Sequence, residues 1–265
     1  MDEAVAVLKK QNASADKIAE VSAERMELAF LRLRSHIDPD RMQVALRESE
    51  TLRARLAQDT KSYGAGPFKL KGADIDLLMA RGLVDAGNLD QAEPLLARAQ
   101  GEGSDDFEVT LQIASLAQKR GHPDRAAQIL RAAIDARQAS APAEETVGFV
   151  EGQSRLSYAL GAAYEVMGSA DEARKAWRVA LRGWERLMIE QLRRKNISSS
   201  AGALFEVGRL YYRRGRRDEG LRRFNEALEQ DESRDQSYID AVAFLVQRGE
   251  SEAALDIYRR ALSRS

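Results

Sequence analysis

Apolar positions from about residue 73 onward recur at helical spacing, and single glycines separate one helical pattern from the next. These glycines are Gly87, Gly121, Gly168, Gly215 and Gly249, at spacings of 34, 47, 47 and 34 residues. A glycine permits the left-handed backbone conformation that often ends a helix, so each of them predicts a turn between two helices. The regular spacing predicts an internal repeat.

Residue size also repeats at fixed distances from these glycines. Small residues stand seven positions before them, with one exception, and five positions after them: Ala80, Ala114, Gly161, Gly208 and the exception Val242, then Ala92, Ala126, Ala173, Gly220 and Ala254. Bulky residues stand nine positions after them and alanines twelve: Leu96, Leu130, Trp177, Phe224 and Tyr258, then Ala99, Ala133, Ala180, Ala227 and Ala261. Antiparallel helices approach closely where side chains are small, and a large residue then fills the gap on its neighbour. The pattern therefore predicts five helix pairs.

This arrangement resembles the tetratricopeptide repeat family over about residues 73–265. The third and fourth units match most clearly, through Leu160-Gly161, Tyr164, Ala173, Trp177 and Ala180-Leu181, and through Val207-Gly208, Tyr211, Phe224 and Ala227-Leu228. The chain departs from the family in lacking its late proline, and Val242 predicts looser packing in the fifth unit. The resemblance implies an all-α fold, a right-handed superhelical solenoid of about five helix hairpins.

The two longer spacings each contain 13 extra residues, which flank the third unit at about residues 142–154 and 183–195. In an antiparallel hairpin, the start of the first helix lies beside the end of the second, so equal insertions there should pair. We expect one long hairpin over about 142–196, extended by roughly 20 Å at 1.5 Å per residue. The alternative is a loop in the first insertion, because Gly148 and Gly152 disfavour a helix.

Residues 1–58 have a helical pattern but do not match the repeat. One helix is predicted over Ala15–Ser35, and a second helix after the turn at residues 36–40, capped by Asp38 or Asp40. Because the ends of a solenoid need cover, we expect this segment to cap the first repeat. Glycines and a proline predict a loop over residues 59–72.

The sequence contains no comparable cover for the fifth repeat. Its last helix carries Leu255, Ile257, Tyr258 and Leu262, which we expect to be partly exposed. We therefore expect either a natural chain that continues past Ser265 or a homodimer formed through the final helix. The alternative is an exposed apolar strip that the protein tolerates.

Composition narrows the function classes. The 265 residues carry a net charge of −1, from 41 basic and 42 acidic side chains, which argues against a general nucleic-acid or anionic-membrane binder. The absence of cysteine excludes disulfides and thiolate chemistry, and no stretch approaches the roughly 20 apolar residues of a membrane span. An excess of arginine over lysine hints at a bacterial source. The compartment stays open: cytoplasm is the default, and periplasm follows if a signal was removed.

Candidate catalytic chemistry is sparse. His36 and His122 both fall at predicted turns, without partners spaced for metal ligation or a catalytic triad. The segment Gly64-Ala65-Gly66 lacks the lysine and serine of a phosphate-binding loop. We therefore expect no catalytic residue, cofactor or metal, and a protein that is not an enzyme.

Arginines crowd the fourth repeat: Arg209, Arg213, Arg214, Arg216, Arg217, Arg222 and Arg223. One interpretation is that acids just downstream neutralise them, namely Glu226, Glu229, Asp231, Glu232 and Asp235. The alternative is that part of the cluster, with Tyr212, presents guanidinium groups to an acidic partner segment.

The resemblance implies that first-helix residues line a concave groove that binds extended peptides or helices. The corresponding positions here are Arg81, Asp85, Leu111, Ser115, Lys119, Tyr158, Ala162, Glu165, Phe205, Arg209, Tyr212 and Arg213, followed by Ile239 and Ala243. The chaperone-binding subgroup clamps a terminal carboxylate with Lys and Asn, where this chain has Leu111, Ser115, Tyr158 and Ala162, so that subfunction is not expected.

An apolar and aromatic groove of this kind suits a partner peptide or an amphipathic helix. We expect a non-catalytic scaffold or adaptor that binds another protein. The alternative is a regulatory or substrate-presenting module of a larger enzyme or of a secretion or envelope machine.

Overall fold

The computed structural model describes residues 5, 7, 10, 13–102, 107–142, 145–194, 197–230 and 235–262. Within these ranges the chain forms 12 α-helices and one short 3₁₀ turn, without strands, which confirms the all-α fold. The chain divides into two compact units, residues 1–126 and residues 127–265.

The first unit contains helices α1 (Ala15–Ser35), α2 (Met42–Tyr63), α3 (Gly72–Asp85), α4 (Leu89–Gly101) and α5 (Phe107–Lys119), with the 3₁₀ turn Pro39–Arg41 between α1 and α2. Helix α6 (Pro123–Ala139) crosses the division between the units. The second unit continues with α7 (Val147–Val166), α8 (Ala170–Arg193), α9 (Ile197–Arg213), α10 (Arg217–Gln230), α11 (Asp235–Gln247) and α12 (Ser251–Leu262).

The five repeat glycines lie where the sequence places them, between the two helices of each successive pair. Their φ angles are +80°, +82°, +73°, +79° and +77° in chain order, so all five adopt the left-handed conformation. This confirms the turn prediction, because a residue with a Cβ adopts that conformation only under strain.

Small and large residues interlock in the third and fourth pairs as predicted. A Cβ on Gly161 would overlap the indole ring of Trp177, and a Cβ on Gly208 would lie 2.8 Å from the ring of Phe224. Both rings are almost completely buried. Each glycine therefore provides the space that the ring on the opposite helix occupies.

The fifth pair departs from this pattern. Tyr258 is 51% exposed, and its neighbour Ile257 is buried instead. Val242, at the position where the other pairs have alanine or glycine, packs against the same core as Ile257. Among the residues expected to be partly exposed, Leu255 and Tyr258 are exposed and Ile257 is not, while the side chain of Leu262 lies outside the described residues.

The third pair has the longest repeat helices, with 20 residues in α7 and 24 in α8, as the equal insertions predict. Helix α7 begins at Val147 and is capped by the hydroxyl of Thr146, so it starts later than residue 142. The loop alternative is wrong for this segment, since Gly148 and Gly152 both lie inside α7. Helix α8 ends at Arg193, close to the expected end at residue 196.

Helices α1 and α2 pack on the first repeat. Met26, Leu33, Leu52 and Leu56 share a buried core with residues of α3 and α4, among them Ile75, Met79, Leu83 and Leu96. The loop expected from residue 59 begins only at Gly64, because α2 continues to Tyr63 and Asp59 pairs with Arg25 of α1 at 2.8 Å. Asp38 caps the 3₁₀ turn rather than α2 itself.

A buried carboxylate joins α2 to the first repeat. Asp76 of α3 has a side chain only 2% exposed and accepts hydrogen bonds from Arg53 Nη1 of α2 and from Arg98 Nε of α4, both at 2.7 Å. Two guanidinium groups from different helices thus replace the water that this carboxylate loses on burial.

We expect Gly161→Ala to lower the free energy of unfolding by about 1–3 kcal/mol, because its methyl group would overlap Trp177 in a closely packed pair. The matched control is Gly148→Ala in the same helix, where no atom lies within 4 Å of the added methyl. That change should raise stability by about 0.5–1 kcal/mol through helix propensity. Urea denaturation measures both, and equal effects of the two substitutions would contradict the interlocking account.

We expect Asp76→Asn to lower the free energy of unfolding by about 1–3 kcal/mol, because Arg53 and Arg98 lose the buried charge that they share and keep only the more exposed partners Glu102 and Glu50. Glu50→Gln is the matched control, since Glu50 also pairs with Arg98 but is 56% exposed, and it should change stability by less than about 1 kcal/mol. Thermal denaturation distinguishes the two. An Asp76→Asn protein as stable as the control would show that the buried pair does not join these helices.

Candidate functional site

A tyrosine of α7 lies between two arginines of α9. The guanidinium carbon of Arg209 is 4.8 Å from the ring centroid of Tyr158, and that of Arg213 is 5.1 Å away. Arg213 Nε also donates a hydrogen bond of 2.7 Å to the Tyr158 hydroxyl. Cation–π attraction and the hydrogen bond together fix the side chains relative to each other. We call Tyr158, Arg209, Arg213, Glu165 and Phe244 the Tyr158 cluster.

Glu165 completes the cluster at the end of α7. It forms ion pairs with Arg213 and with Arg248, which follows α11, the latter at 3.2 Å. The side chain of Arg213 is only 14% exposed. Arg213 is therefore held by an aromatic ring, a hydroxyl and a carboxylate, and acts as a fixed part of the surface.

Arg209 is more accessible than Arg213. Its side chain is 28% exposed, and its ion pair, at 3.1 Å, is with Glu206 on the same helix. Phe205 and Phe244 add ring contacts at 5.9 Å and 5.5 Å from its guanidinium carbon. Burial disfavours its charge, but Glu206 and Tyr158 outweigh burial and keep the pKa of Arg209 above its ordinary value. This surface therefore presents a permanent positive charge.

Two aromatic residues expected in the groove, Phe205 and Tyr212, pack against rings beside the Tyr158 cluster. Phe205 is buried, with its ring centroid 5.1 Å from that of Phe224. Tyr212 packs edge-on against Phe244 at 5.6 Å, and its pKa is raised by burial and by Glu250. Tyr212 therefore lies close to Glu250 and is half-buried.

Three exposed residues of α11 form an apolar stripe. Ile239 and Val246 are 59% and 57% exposed, and Ala243 lies between them on the same face at helical spacing. We call these three residues the α11 stripe. Phe244, on the buried side of the same helix, connects it to the Tyr158 cluster.

Glu151 lies at the opposite end of the α7 face that carries Tyr158, Ala162 and Glu165. It precedes Tyr158 by seven residues, two helical turns, and is half-buried. Its pKa is raised, first by burial and then by the negative charge of Glu206. Glu151 therefore adds negative charge at this end of the face, whereas Arg209 and Arg248 lie near Glu206 and Glu165, with which they pair.

Sequence reasoning missed Glu151, Phe244 and Arg248. Helical spacing from Tyr158 is a signal that identifies Glu151. For Phe244 and Arg248, the local sequence signal is limited to their position close to Gly249. Arg248 meets Glu165 across 83 positions of the chain, a separation that no local pattern reveals.

The candidate residues in the first unit form a smaller arrangement on α3 and α5. Lys119 Nζ donates to the Val84 carbonyl at 2.8 Å and lies 3.7 Å from a carboxylate oxygen of Asp85. Arg81 is exposed, and Leu111 and Ser115 are half-buried. The Lys119 contacts join the ends of α3 and α5.

The arginines of the fourth repeat are largely neutralised, but mostly by other acids than expected. Arg222 and Arg223 pair with Glu226, as predicted, whereas Arg216 pairs with Glu219 and Arg217 with Glu250. Of the other expected acids, Glu229 is exposed, Asp231 and Glu232 lie outside the described residues, and so does the side chain of Asp235. Neutralisation therefore applies to the arginines of α10, while Arg209 and Arg213 belong to the Tyr158 cluster.

The described part of the chain contains no group of three His, Asp or Glu side chains placed to hold a metal ion. His36 pairs with Glu48, at 2.9 Å. Within the same ranges, every helix is too short or too polar to cross a lipid bilayer.

Two stretches of the chain, residues 77–142 and 205–265, match the model of a family described as "Tetratricopeptide repeat". The first stretch reaches from α3 to α6 and the second from α9 to α12. No curated protein sequence matches the chain.

Solved structures show a likeness at low identity. BtubC (BKLC) from P. vanneervenii has 15% identity over 90% of each chain, with a TM-score of 0.46. A MamA structure labelled MSR-1 has 20% identity over 78% of this chain and 97% of its own, with a TM-score of 0.37. A MamA structure labelled AMB-1 has 21% identity over 80% and 94%, with a TM-score of 0.36.

We expect Glu151→Gln to raise the free energy of unfolding at pH 7. When the pKa of a carboxyl group is raised in the folded state, its ionisation lowers the stability of the folded protein. Removing the charge of Glu151 therefore restores that stability. The gain should shrink as the pH falls through the raised pKa and vanish below the ordinary value of 4.5. Urea denaturation at pH 7 and pH 4 measures it. The exposed control Glu229→Gln should change stability by less than about 0.5 kcal/mol, and a gain at pH 7 no larger than that control's would contradict the assignment.

Proposed function

Since the chain belongs to the tetratricopeptide repeat proteins, we propose that it is a non-catalytic scaffold that binds a partner protein on the first-helix surface of its second unit. The observation that carries the proposal is the Tyr158 cluster, in which aromatic rings hold two arginines at the groove positions of α9. A scaffold role also agrees with the usual use of these repeats as interaction modules.

The surface suits a partner segment with an acidic residue beside apolar ones. Arg209 and Arg248 keep 28% and 30% of their side chains exposed, so a carboxylate can reach both. The α11 stripe offers exposed carbon surface for the apolar residues. Glu151 favours a basic residue at the other end, which gives the bound peptide or amphipathic helix a preferred direction.

The chemistry of the cluster favours binding over catalysis. Arginine stays protonated in proteins, so Arg209 and Arg213 cannot exchange protons with a substrate. Glu165, the carboxylate beside them, already accepts hydrogen bonds from two guanidinium groups. These groups can orient a carboxylate through charge-assisted hydrogen bonds, which is recognition chemistry.

The homodimer through the last helix stays a prediction. Its apolar surface is narrower than the sequence indicates, because Leu255 and Tyr258 are exposed while Ile257 is buried.

Site-specific cross-linking tests the proposed surface. The chain contains no cysteine, so Ala162→Cys can carry a single benzophenone probe on the α7 face. We expect protein adducts from this position in extracts of the source cells, and a loss of about tenfold or more when Arg209→Gln removes the charged hydrogen bonds. Circular dichroism confirms that the variant is folded.

The matched control carries the same probe at Arg178→Cys, an exposed position of α8. Adducts there should be few and insensitive to Arg209→Gln. No adduct at position 162, or an adduct that Arg209→Gln leaves unchanged, would overturn the proposal.

A further inference from the structure

An ion pair of Glu165 joins two helix pairs that are not neighbours. Glu165 lies in the last turn of α7, in the third pair, and Arg248 follows α11, in the fifth pair. In a repeat array each unit contacts the units directly before and after it. The pair of Glu165 with Arg248 therefore passes over the fourth helix pair, and stacking of neighbouring repeats does not by itself require it.

Both carboxylate oxygens of Glu165 accept hydrogen bonds from guanidinium groups. Oε1 accepts from Nη1 and Nη2 of Arg248, both at 3.3 Å, and Oε2 accepts from Nη2 at 3.2 Å. Oε2 also accepts from Nη1 of Arg213. Two arginines thus hold one carboxylate between them, as guanidinium groups hold the carboxylate of a ligand. We call Glu165, Arg213 and Arg248 the Glu165 bridge.

The Glu165 bridge is accessible and keeps a positive charge. The side chains of Glu165 and Arg248 are 38% and 30% exposed. Two guanidinium groups and one carboxylate leave one positive charge, since Arg209 beside them pairs with Glu206. Exposed ion pairs are weak because water competes for each partner. A second carboxylate is therefore attracted to the bridge and competes with Glu165 for its arginines.

The site for an anion persists when Glu165 leaves it. The guanidinium carbon of Arg248 lies 5.8 Å from the ring centroid of Phe244. Arg213 keeps its hydrogen bond of 2.7 Å to the Tyr158 hydroxyl and its contact with that ring at 5.1 Å. Cation–π attraction thus holds both guanidinium groups in place without the carboxylate.

We propose that Glu165 takes the place of a partner's carboxylate: it occupies Arg248 in the free protein, and an acidic side chain of the bound segment displaces it. Displacement releases the fifth helix pair from the third, so the first-helix surface from α7 to α11 opens as the partner binds. A partner carboxylate contacts Arg248 only in the open state, and this difference shifts the equilibrium. The inference rests on the proposed function and names the residue that controls access to its site.

Distance measurement by electron paramagnetic resonance tests the bridge without a partner. Ala170→Cys and Ser251→Cys place two spin labels at exposed, equivalent positions of the third and fifth pairs, in a chain that has no cysteine of its own. We expect Glu165→Gln to give a broader and on average longer distance distribution, because a neutral amide binds guanidinium groups less strongly than a carboxylate does. Glu190→Gln is the matched control and should leave the distribution unchanged, since Glu190 is also 38% exposed but pairs with Arg194 inside α8.

Peptide binding tests the competition. The probe is a fluorescent synthetic amphipathic helix with Glu on one face and Leu and Ala on the other. Glu165→Gln should bind this probe about threefold or more tightly than the wild type, because the internal competitor is lost, and Glu190→Gln should change the affinity less than about 1.5-fold. Both substitutions remove one negative charge, so a difference between them excludes a general charge effect. Saturating probe should also move the wild-type distance distribution towards that of Glu165→Gln.

Two results would overturn the proposal. The first is a Glu165→Gln protein with the distance distribution of the wild type. The second is a Glu165→Gln protein that binds the probe no more tightly than Glu190→Gln does, including a probe that binds neither, because Glu165 would then not compete with an acidic segment. Failure of the proposed function has a different signature, the absence of adducts at position 162, and leaves the distance measurement without partner unaffected.

Discussion

The close approach of paired helices at glycine is the constraint on which the second unit depends. Trp177 fits only because Gly161 has no side chain, and Phe224 fits only because Gly208 has none. The same two rings also contact residues of the charged surface or the rings that pack against it. The guanidinium carbon of Arg213 lies 5.5 Å from the Trp177 ring, and Phe224 contacts both Phe205 and Phe244. Packing within the helix pairs therefore positions the charged groups that face outward.

Charge in this chain is arranged locally, although its total is close to zero. Arginines of both helices of the fourth repeat pair with glutamates, and those of α9 also lie against the ring of Tyr158. In the first unit, Asp76 pairs with two arginines in the interior, while Arg32 remains 71% exposed. A net charge of −1 thus coexists with arginines that remain at the surface.

The repeats could be predicted from sequence because their determinants are local. A glycine at each turn and a small residue opposite a large one act within a single hairpin, and the five positive φ angles confirm the turns. Tyr258 holds the bulky position of the fifth pair but is exposed, as expected for the last helix, whereas Ile257 beside it is buried although it was expected to be partly exposed. The sequence pattern gives the helix but not which of two neighbouring side chains enters the core.

The candidate site was predicted only in part, because long-range contacts assemble it. The groove positions on α7 and α9 follow from the repeat register, and Tyr158, Arg209 and Arg213 do come together. Phe244 and Arg248 join them from α11 and the turn after it. Helical periodicity gives the face of each helix, but not which faces meet.

The central claim is that an interlocked ring holds the charged surface in place. Two-dimensional NMR of the arginine Nε–Hε groups tests it most directly, in the wild-type protein and in Trp177→Leu. We predict that the Trp177 ring, 5.5 Å from its guanidinium carbon, shifts the Arg213 signal in the wild type, and that this signal moves towards the position of exposed arginines in a folded Trp177→Leu variant. An Arg213 signal that stays unchanged in that variant would contradict this claim.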